Sequence, residues 1–402
     1  MPLTPPNASE PGPSSATDAD GPTGRIPLRF GWSEASGSLG DLGTFLPIAV
    51  ALSATCGLNF AAVLLFAGLM NLATGWWFRQ PLAVQPMKAI AALAIADQLS
   101  ASSVLAAGVL MGVLMLALGW SGLAERLGRW VPAAAIRGIQ LGIGLKLAIS
   151  ATAQASPQLT AATLLLAAAL ASALLWPRTR RLPLLLLVVA VGLIVAIGRA
   201  GLRLDPGLPL DWFNADAEAW KVAALQLLPA QAPLTLLNSL LAVCLLSADL
   251  YPGRGIPPRP MAVGVGLMNL VACPLGGMPM CHGAGGLAAQ HAFGARTGGS
   301  VILLGGAKVT AALLLGAAAA PLLAAFPGWL LGSLLIIAGL RLAVEARRCR
   351  GRDAVLAAAV AAAVLAGWTL PAVAVVALGL TLRRIIGPAD HTKPVTPADD
   401  AR

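Results

Sequence analysis

The sequence predicts an all-α polytopic membrane protein made of two inverted halves, with about seven transmembrane segments in each half. The first observation is composition: 57% of the 402 residues are hydrophobic, 11% are charged, and the mean hydropathy is +0.80. Soluble domains carry about 25% charged residues, so lipid must surround most of this chain. The other two observations are an internal repeat and a pair of interrupted apolar segments at matching positions in the repeat.

About fourteen segments approach the roughly 20 apolar residues that a spanning helix needs. Those of the first half lie near residues 34–56, 60–78, 80–97, 103–120, 131–151, 160–176 and 182–199. Those of the second half lie near residues 230–248, 260–274, 279–292, 299–324, 327–345, 353–370 and 371–385. The third segment of each half, 80–97 and 279–292, is short, interrupted by Pro or Gly, and too polar to face lipid. The polar ends of the chain, residues 1–30 and 386–402, are predicted to be disordered tails.

The net charge of +10 has the distribution expected of a membrane protein. Arginines cluster in the loops that this segment count places inside, whereas the outside loops hold only Arg199, Arg203 and Lys221. This bias predicts cytoplasmic N and C termini in a plasma or inner membrane. The scattered cations form no basic face for nucleic acid. Within the predicted spans, Lys308 and Arg137 have no partner that the sequence identifies, and snorkelling would account for them.

An internal repeat relates the two halves. Gly68–Leu72 (GLMNL) recurs 198 residues later as Gly266–Leu270, which places Asn71 and Asn269 at matching positions. Further anchors follow in the same order: Pro81 with Pro279, and Gly144–Ala148 with Gly339–Ala343. Seven segments per half is an odd number, so the second half enters the membrane from the opposite side. Inverted repeats with broken helices at the midplane are typical of secondary transporters. The two asparagines are interpreted as hydrogen-bonding groups between helices.

The two interrupted segments suggest an anion site. Pro86 lacks an N–H group and suits the first position of a helix, so a half-helix is predicted to begin there, in mid-membrane. The glycines after His282 permit a second helix start. Each helix N-terminus offers free N–H groups and about half a positive charge. Lys88 follows in the first turn, where a cation is unfavourable unless an anion or a carboxylate such as Asp41 lies beside it.

Each candidate also has a structural interpretation. Lys88 could be only the ion-pair partner of Asp41. His282 could be a packing histidine, an anion donor or a proton carrier. Cys281 is more easily explained as a small apolar filler, and Asn238 fits packing and substrate contact equally well. The five cysteines lack paired spacing, and the sequence predicts no disulfide, metal site or cofactor.

Four segments resemble the signature segments of the molybdate transporter family, a distant relative of the SulP sulfate permeases. They are Gly37–Phe45 (GSLGDLGTF), Val84–Ala91 (VQPMKAIA), Pro279–Ala288 (PMCHGAGGLA) and Phe293–Ser300 (FGARTGGS). The resemblance runs from about residue 31 to 384. It implies a seven-plus-seven fold, also shared with uracil permeases. A core domain (31–122 and 229–325) would rock against a gate domain (130–200 and 327–385).

The resemblance places an oxyanion between the starts of spans three and ten. The candidate substrate-binding residues are Asp41, Thr44, Gln85, Pro86, Met87, Lys88, Asn238, Cys281, His282, Gly283 and Ala284. Asp41 and His282 are also the candidate proton carriers. The expected activity is uptake of molybdate, or a similar tetrahedral dianion such as sulfate or tungstate, by alternating access. The expected partners are the oxyanion, protons and the lipid bilayer, and assembly as a homodimer is left open.

Two alternative functions would each need residues of a particular kind. A nucleobase permease-like carrier would need acidic residues on spans eight and ten, but span eight offers only Asp249 near its end. An intramembrane enzyme would need a catalytic motif. The chain has no His-Glu-x-x-His, no Gly-x-Ser-x-Gly and only three histidines. A carrier rather than an enzyme is therefore expected.

Overall fold

The computed structural model describes residues 25–39, 42–123, 133–153 and 184–366, together with Leu166. In the first part of the chain the helices are α1 (Trp32–Ser38), α2 (Leu42–Cys56), α3 (Phe60–Phe78), α4 (Lys88–Ala96), α5 (Ala101–Ser121), α6 (Ala133–Ala153) and α7 (Leu184–Ala200). The later helices are α8 (Ala217–Leu250), α9 (Pro258–Ala272), α10 (Ala284–Ala292), α11 (Gly299–Leu315), α12 (Ala319–Ala324), α13 (Gly328–Val344) and α14 (Arg352–Leu365). The predicted helical class is thus confirmed.

Four helical stretches within the described residues are long and apolar enough to cross a membrane. They are Phe60–Phe78, Ala101–Ser121, Ala217–Leu250 and Gly299–Ala324. Shorter apolar helices accompany them at Thr44–Cys56, Ala190–Ala200 and Gly328–Ile337. Two predicted spans, near 160–176 and 371–385, fall outside the described residues except for Leu166. The same holds for the C-terminal tail and for most of the N-terminal tail.

Within the segment predicted at 34–56 the structure describes two helices, α1 and α2. One predicted boundary is wrong. The segment predicted at 230–248 belongs to a helix of 34 residues that begins at Ala217. Its true start follows from an N-cap, because the Asp216 side chain accepts a hydrogen bond from the Ala219 N–H at 2.8 Å. The early turns carry charged residues, which is why hydropathy alone places the start too late.

Glycines let pairs of long helices approach closely. A Cβ placed at Gly68 on α3 would lie 2.8 Å from the carbonyl oxygen of Gly305 on α11. The equivalent glycine of the repeat, Gly266 on α9, lies against α5, where a Cβ would be 3.1 Å from the carbonyl oxygen of Gly112. Small residues at such crossings are the usual device for packing helices in lipid. The repeated Gly-Leu-Met-Asn-Leu motif therefore makes the same kind of helix contact in both copies.

A small antiparallel sheet interrupts the helical architecture. Strand β1 (Val84–Pro86) pairs with β2 (Met280–His282), with Val84 opposite His282 and Pro86 opposite Met280. All six residues are buried. The prediction that Pro86 opens a helix is wrong by two residues, since Pro86 ends β1 and α4 begins at Lys88. A proline fits a strand end because it has no N–H group to donate to the ladder.

Candidate functional site

The two interrupted segments have the same local design and meet at the sheet. In each, a strand of three residues is followed by one linking residue and a helix of nine residues. The Met87 N–H donates to the carbonyl oxygen of Pro279 at 3.0 Å and extends the pairing beyond the strands. Because the strands are antiparallel, β1 leads into α4 at one end of the sheet and β2 leads into α10 at the other end. The structure thus joins the two interrupted segments through the strands that precede their helices.

The two asparagines of the repeated motif hydrogen-bond to the backbone of this sheet, one to each strand. Asn71 accepts a hydrogen bond from the Val84 N–H at 2.9 Å. Asn269 accepts from the Met280 N–H at 2.8 Å and donates to the Met280 carbonyl at 2.6 Å. Both side chains are fully buried. They are hydrogen-bonding groups, as predicted, but their partners are the strand backbones and not neighbouring helices.

Gln85, Asn238 and Gly283 converge beside the start of α10. A Cβ at Gly283 would lie 2.5 Å from Gln85 Oε1 and 3.4 Å from Asn238 Nδ2. Asn238 reaches this point from Thr235–Ala242, a π-helical stretch of α8, and π-helical distortions are frequent at functional sites. The absence of a side chain at Gly283 therefore leaves room for two amide groups next to the helix start.

His282 is fully buried at the end of β2. Its Nδ1 lies 3.1 Å from the Ala83 carbonyl oxygen, which can only accept, so Nδ1 carries a proton. Nε2 has no hydrogen-bond partner among the described residues. Because Nδ1 is already the donor, Nε2 can donate to a ligand only in the imidazolium form. Cys281, its neighbour on β2, is 6% exposed.

Lys88 is the first residue of α4, preceded by Met87 at the N-cap. Lys88 is partly buried and makes no hydrogen bond or ion pair within the described part of the chain. Ala284 holds the corresponding first position of α10. Thr44 lies, half-buried, in the first turn of α2. The predicted pairing of Lys88 with Asp41 falls outside the described residues.

Two nearby polar side chains were not assigned to the site by the sequence analysis. Gln231 on α8 is 2% exposed and binds the first turn of α4 through its amide. A glutamine in a predicted span was the only available signal. Lys308 on α11 is 4% exposed, and its Nζ lies 3.4 Å from the centroid of the Phe45 ring. Lys308 is thus buried in a cation–π contact instead of snorkelling to the membrane surface.

Comparisons with solved structures identify the fold. The transmembrane domain of a cyanobacterial bicarbonate transporter, BicA, superposes with a TM-score of 0.64 at 19% identity, covering 87% of this chain and 98% of that domain. The murine anion transporter Slc26a9 in its inward-facing state also gives a TM-score of 0.64, at 12% identity, covering 88% of this chain and 68% of that protein. The fold is therefore that of multi-pass membrane transporters.

Sequence comparisons identify the family. Residues 33–147 and 223–342, more than half of the chain, match the family model described as "Molybdate transporter of MFS superfamily". Molybdate transporter 1 of Arabidopsis thaliana is 35% identical over 364 residues, covering 78% of this chain and 80% of the relative. Molybdate transporter 2 of the same plant is 36% identical, covering 80% of each. Molybdate transporter 1 of Chlamydomonas reinhardtii is 33% identical, covering 83% of this chain and 88% of the relative. With both sequence segments and fold in agreement, the chain belongs to the molybdate transporter family and is a membrane transporter, not an enzyme.

Proposed function

We propose that this chain is a secondary active transporter that takes up molybdate and binds it between the starts of α4 and α10. The observation that carries the proposal is the pairing of β1 with β2, the two strands that lead into these helix starts, with Lys88 in the first turn of α4. The names of the relatives point to the same substrate. Asp41, Thr44, Gln85, Asn238 and His282, with the neighbouring backbone from Pro86 to Met87 and from Cys281 to Ala284, complete the proposed site.

The charge of this site suits a dianion. Each helix end contributes about half a positive charge, and with the Lys88 ammonium group the sum is roughly +2. These charges lie on the two segments joined by the buried β1–β2 sheet, and electrostatic attraction is stronger in such a partly buried place than at a surface. A neutral substrate would leave the partly buried Lys88 cation uncompensated, which is costly within a membrane. The proposal therefore favours an oxyanion over a nucleobase.

Uptake of a dianion must be coupled to cations. Moving one negative charge inward against the membrane potential costs about 2.3 kcal/mol per 100 mV, and a dianion costs about twice that. Two protons would cancel this electrical cost. His282 is suited to carry one of them, because its Nε2 becomes a donor to the anion only when the ring is protonated. Asp41 is proposed to carry the other, near Lys88.

Alternating access is proposed to follow from the repeat. Seven spans in each half would form a core (31–122 and 229–325) that rocks against a gate (130–200 and 327–385), with both termini cytoplasmic in a plasma or inner membrane. The equal lengths of strand and helix at 84–96 and 280–292 support the repeat locally. The close contact of α4 with α6 would then be a contact between core and gate.

The proposed function is tested by equilibrium binding of labelled molybdate to the purified protein. Molybdate should bind, and sulfate should compete because it shares shape and charge, whereas uracil should not. Lys88→Ala should weaken molybdate binding by tenfold or more, since about 1.4 kcal/mol of lost attraction already gives tenfold. Binding that is equal in Lys88→Ala and wild type, or displacement by uracil alone, would refute the proposal.

Proton coupling is tested separately in proteoliposomes. Molybdate uptake should accelerate when the outside is acidified. Asp41→Asn should reduce this pH dependence while the protein still binds molybdate, because the amide cannot carry the proton. Unchanged coupling in Asp41→Asn would remove Asp41 from the mechanism.

A further inference from the structure

Half-helix α4 is already capped by the protein. Gln231 Oε1 accepts hydrogen bonds from the N–H groups of Ala89, at 2.9 Å, and Ile90, at 3.3 Å. The Gln231 amide is held in this orientation because its Nε2 donates to Thr235 Oγ1 at 2.9 Å. Ala89, Ile90 and Gln231 are all at most 2% exposed. Two of the N–H groups that a helix start leaves free are therefore bound at α4, deep in the structure.

The first turn of half-helix α10 is not capped in the way that the first turn of α4 is. No side chain caps it, and within the described residues the N–H groups of Ala284 and Gly285 have no hydrogen-bond partner. A Cβ placed at Gly285 would meet no atom within 4 Å, and the residue is exposed. His282, which directly precedes the Gly283 cap, is buried, and its Nε2 has no hydrogen-bond partner among the described residues. The start of α10 is thus uncapped and open in front.

We propose that the two helix ends do not share the oxyanion equally: Gln231 closes α4, and the anion is held by the first turn of α10 together with Lys88. This inference rests on the proposed function and assigns Gln231 as a positioning residue that the anion does not displace. In this arrangement α4 contributes the Lys88 group, and α10 contributes backbone N–H donors. The neutral Gln231 amide accepts the hydrogen bonds of the first N–H groups of α4 without adding a negative charge that would repel the substrate.

The competing interpretation is that Gln231 is a temporary occupant which the anion displaces from Ala89 and Ile90. The two interpretations predict opposite effects when the amide is removed. Under our proposal, Gln231→Met leaves two buried N–H groups unsatisfied, disorders the start of α4 and weakens molybdate binding. If Gln231 competes with the anion, Gln231→Met tightens binding, which would overturn the proposal.

Gln231→Glu gives a sharper test, because a carboxylate accepts the same two hydrogen bonds and is favourable at a helix N-terminus. The added negative charge near Lys88 should raise the Kd for molybdate by about tenfold or more in the folded protein. Gln226→Glu, an exposed position on the same helix, is the matched control for the charge change and should alter the Kd less than twofold. A Kd for Gln231→Glu equal to that of Gln226→Glu would count against the proposal.

Ala284→Pro tests the α10 side without relying on Gln231. Proline is well accepted at the first position of a helix, and the preceding Gly283 already has the extended conformation that proline requires (φ −139°, ψ 139°). The substitution removes one N–H group from the start of α10 and should raise the Kd for molybdate about tenfold, the effect of losing one hydrogen bond to a charged group. A Kd unchanged in Ala284→Pro would overturn the assignment of the anion to α10. If wild type itself fails to bind molybdate, the proposed function is refuted. If wild type binds molybdate but Ala284→Pro binds it equally well, only the assignment of the anion to α10 is refuted.

Discussion

The asparagine supports of the β1–β2 sheet allow a quantitative prediction. Replacing Asn269 by Leu preserves side-chain volume but removes both partners of Met280, whose N–H and carbonyl are buried. Replacing Asn71 by Leu removes the partner of a single group, the Val84 N–H. Each polar group left buried and unsatisfied costs about 1–3 kcal/mol. Asn269→Leu should therefore cost about 2–6 kcal/mol and Asn71→Leu about 1–3 kcal/mol.

Both variants should also weaken substrate binding, because the strands position the starts of α4 and α10. The assay is thermal unfolding in detergent, followed by equilibrium molybdate binding on the folded fraction. Asn59→Ala is the control: it removes the N-cap of α3, where Asn59 Oδ1 accepts from the Ala61 N–H at 3.1 Å, and should cost about 1 kcal/mol without changing the Kd. An Asn71→Leu protein less stable than Asn269→Leu, or a Kd unchanged in both, would refute the assignment of these asparagines to the sheet.

Three further outcomes follow from the packing and the site. Gly305→Leu should prevent stable folding in thermal melts because its side chain would meet the backbone of α3, whereas Gly306→Leu should be tolerated since nothing lies within 4 Å of a Cβ there. A salt bridge between Lys146 Nζ and Asp97 Oδ2, which lie 2.7 Å apart, joins the end of α4 to α6. A double-mutant cycle of Asp97→Asn and Lys146→Gln in thermal melts should show a coupling free energy of about 0.5–1 kcal/mol. Additive effects of the two substitutions would contradict a stabilising salt bridge. Molybdate binding should tighten as pH falls in wild type and depend less on pH in His282→Gln, so a pH profile identical to that of wild type would exclude His282 as a proton carrier.

The sequence was sufficient to locate the interrupted segments, because their signals are local. Proline and glycine in an otherwise apolar span are costly unless the backbone must leave the helical conformation, and this is what 80–97 and 279–292 do. The position of Lys88 in a first turn followed from the same argument. The error of two residues at Pro86 arose because proline suits both the first turn of a helix and the end of a strand. Only the partner strand, nearly 200 residues away, decides between these two roles.

Side chains that act across the bundle could not be assigned in this way. Gln231 contacts a half-helix 142 residues earlier in the chain, and nothing in its own neighbourhood specifies that direction. Lys308 was interpreted as snorkelling because long cations in spans usually do, but the Phe45 ring on another helix covers it. In both cases the deciding contact is tertiary. The type of residue was visible in the sequence, whereas its partner was not.

The two interrupted segments have the same backbone design but different side chains at equivalent positions, and this difference matters for the proposed function. Lys88 and Ala284 occupy the same first position of their half-helices, while Pro86 and His282 occupy the same last position of their strands. In the proposed site, the first half would therefore supply the Lys88 ammonium group with Asp41 near it, and the second half would supply the His282 ring and open N–H groups. A symmetric site would bind and release an anion in the same way from either half. In the proposed asymmetric site, protonation of His282 would add a donor for the anion, whereas protonation of Asp41 would remove a negative charge near Lys88, so that each half would couple the anion to one proton in its own way.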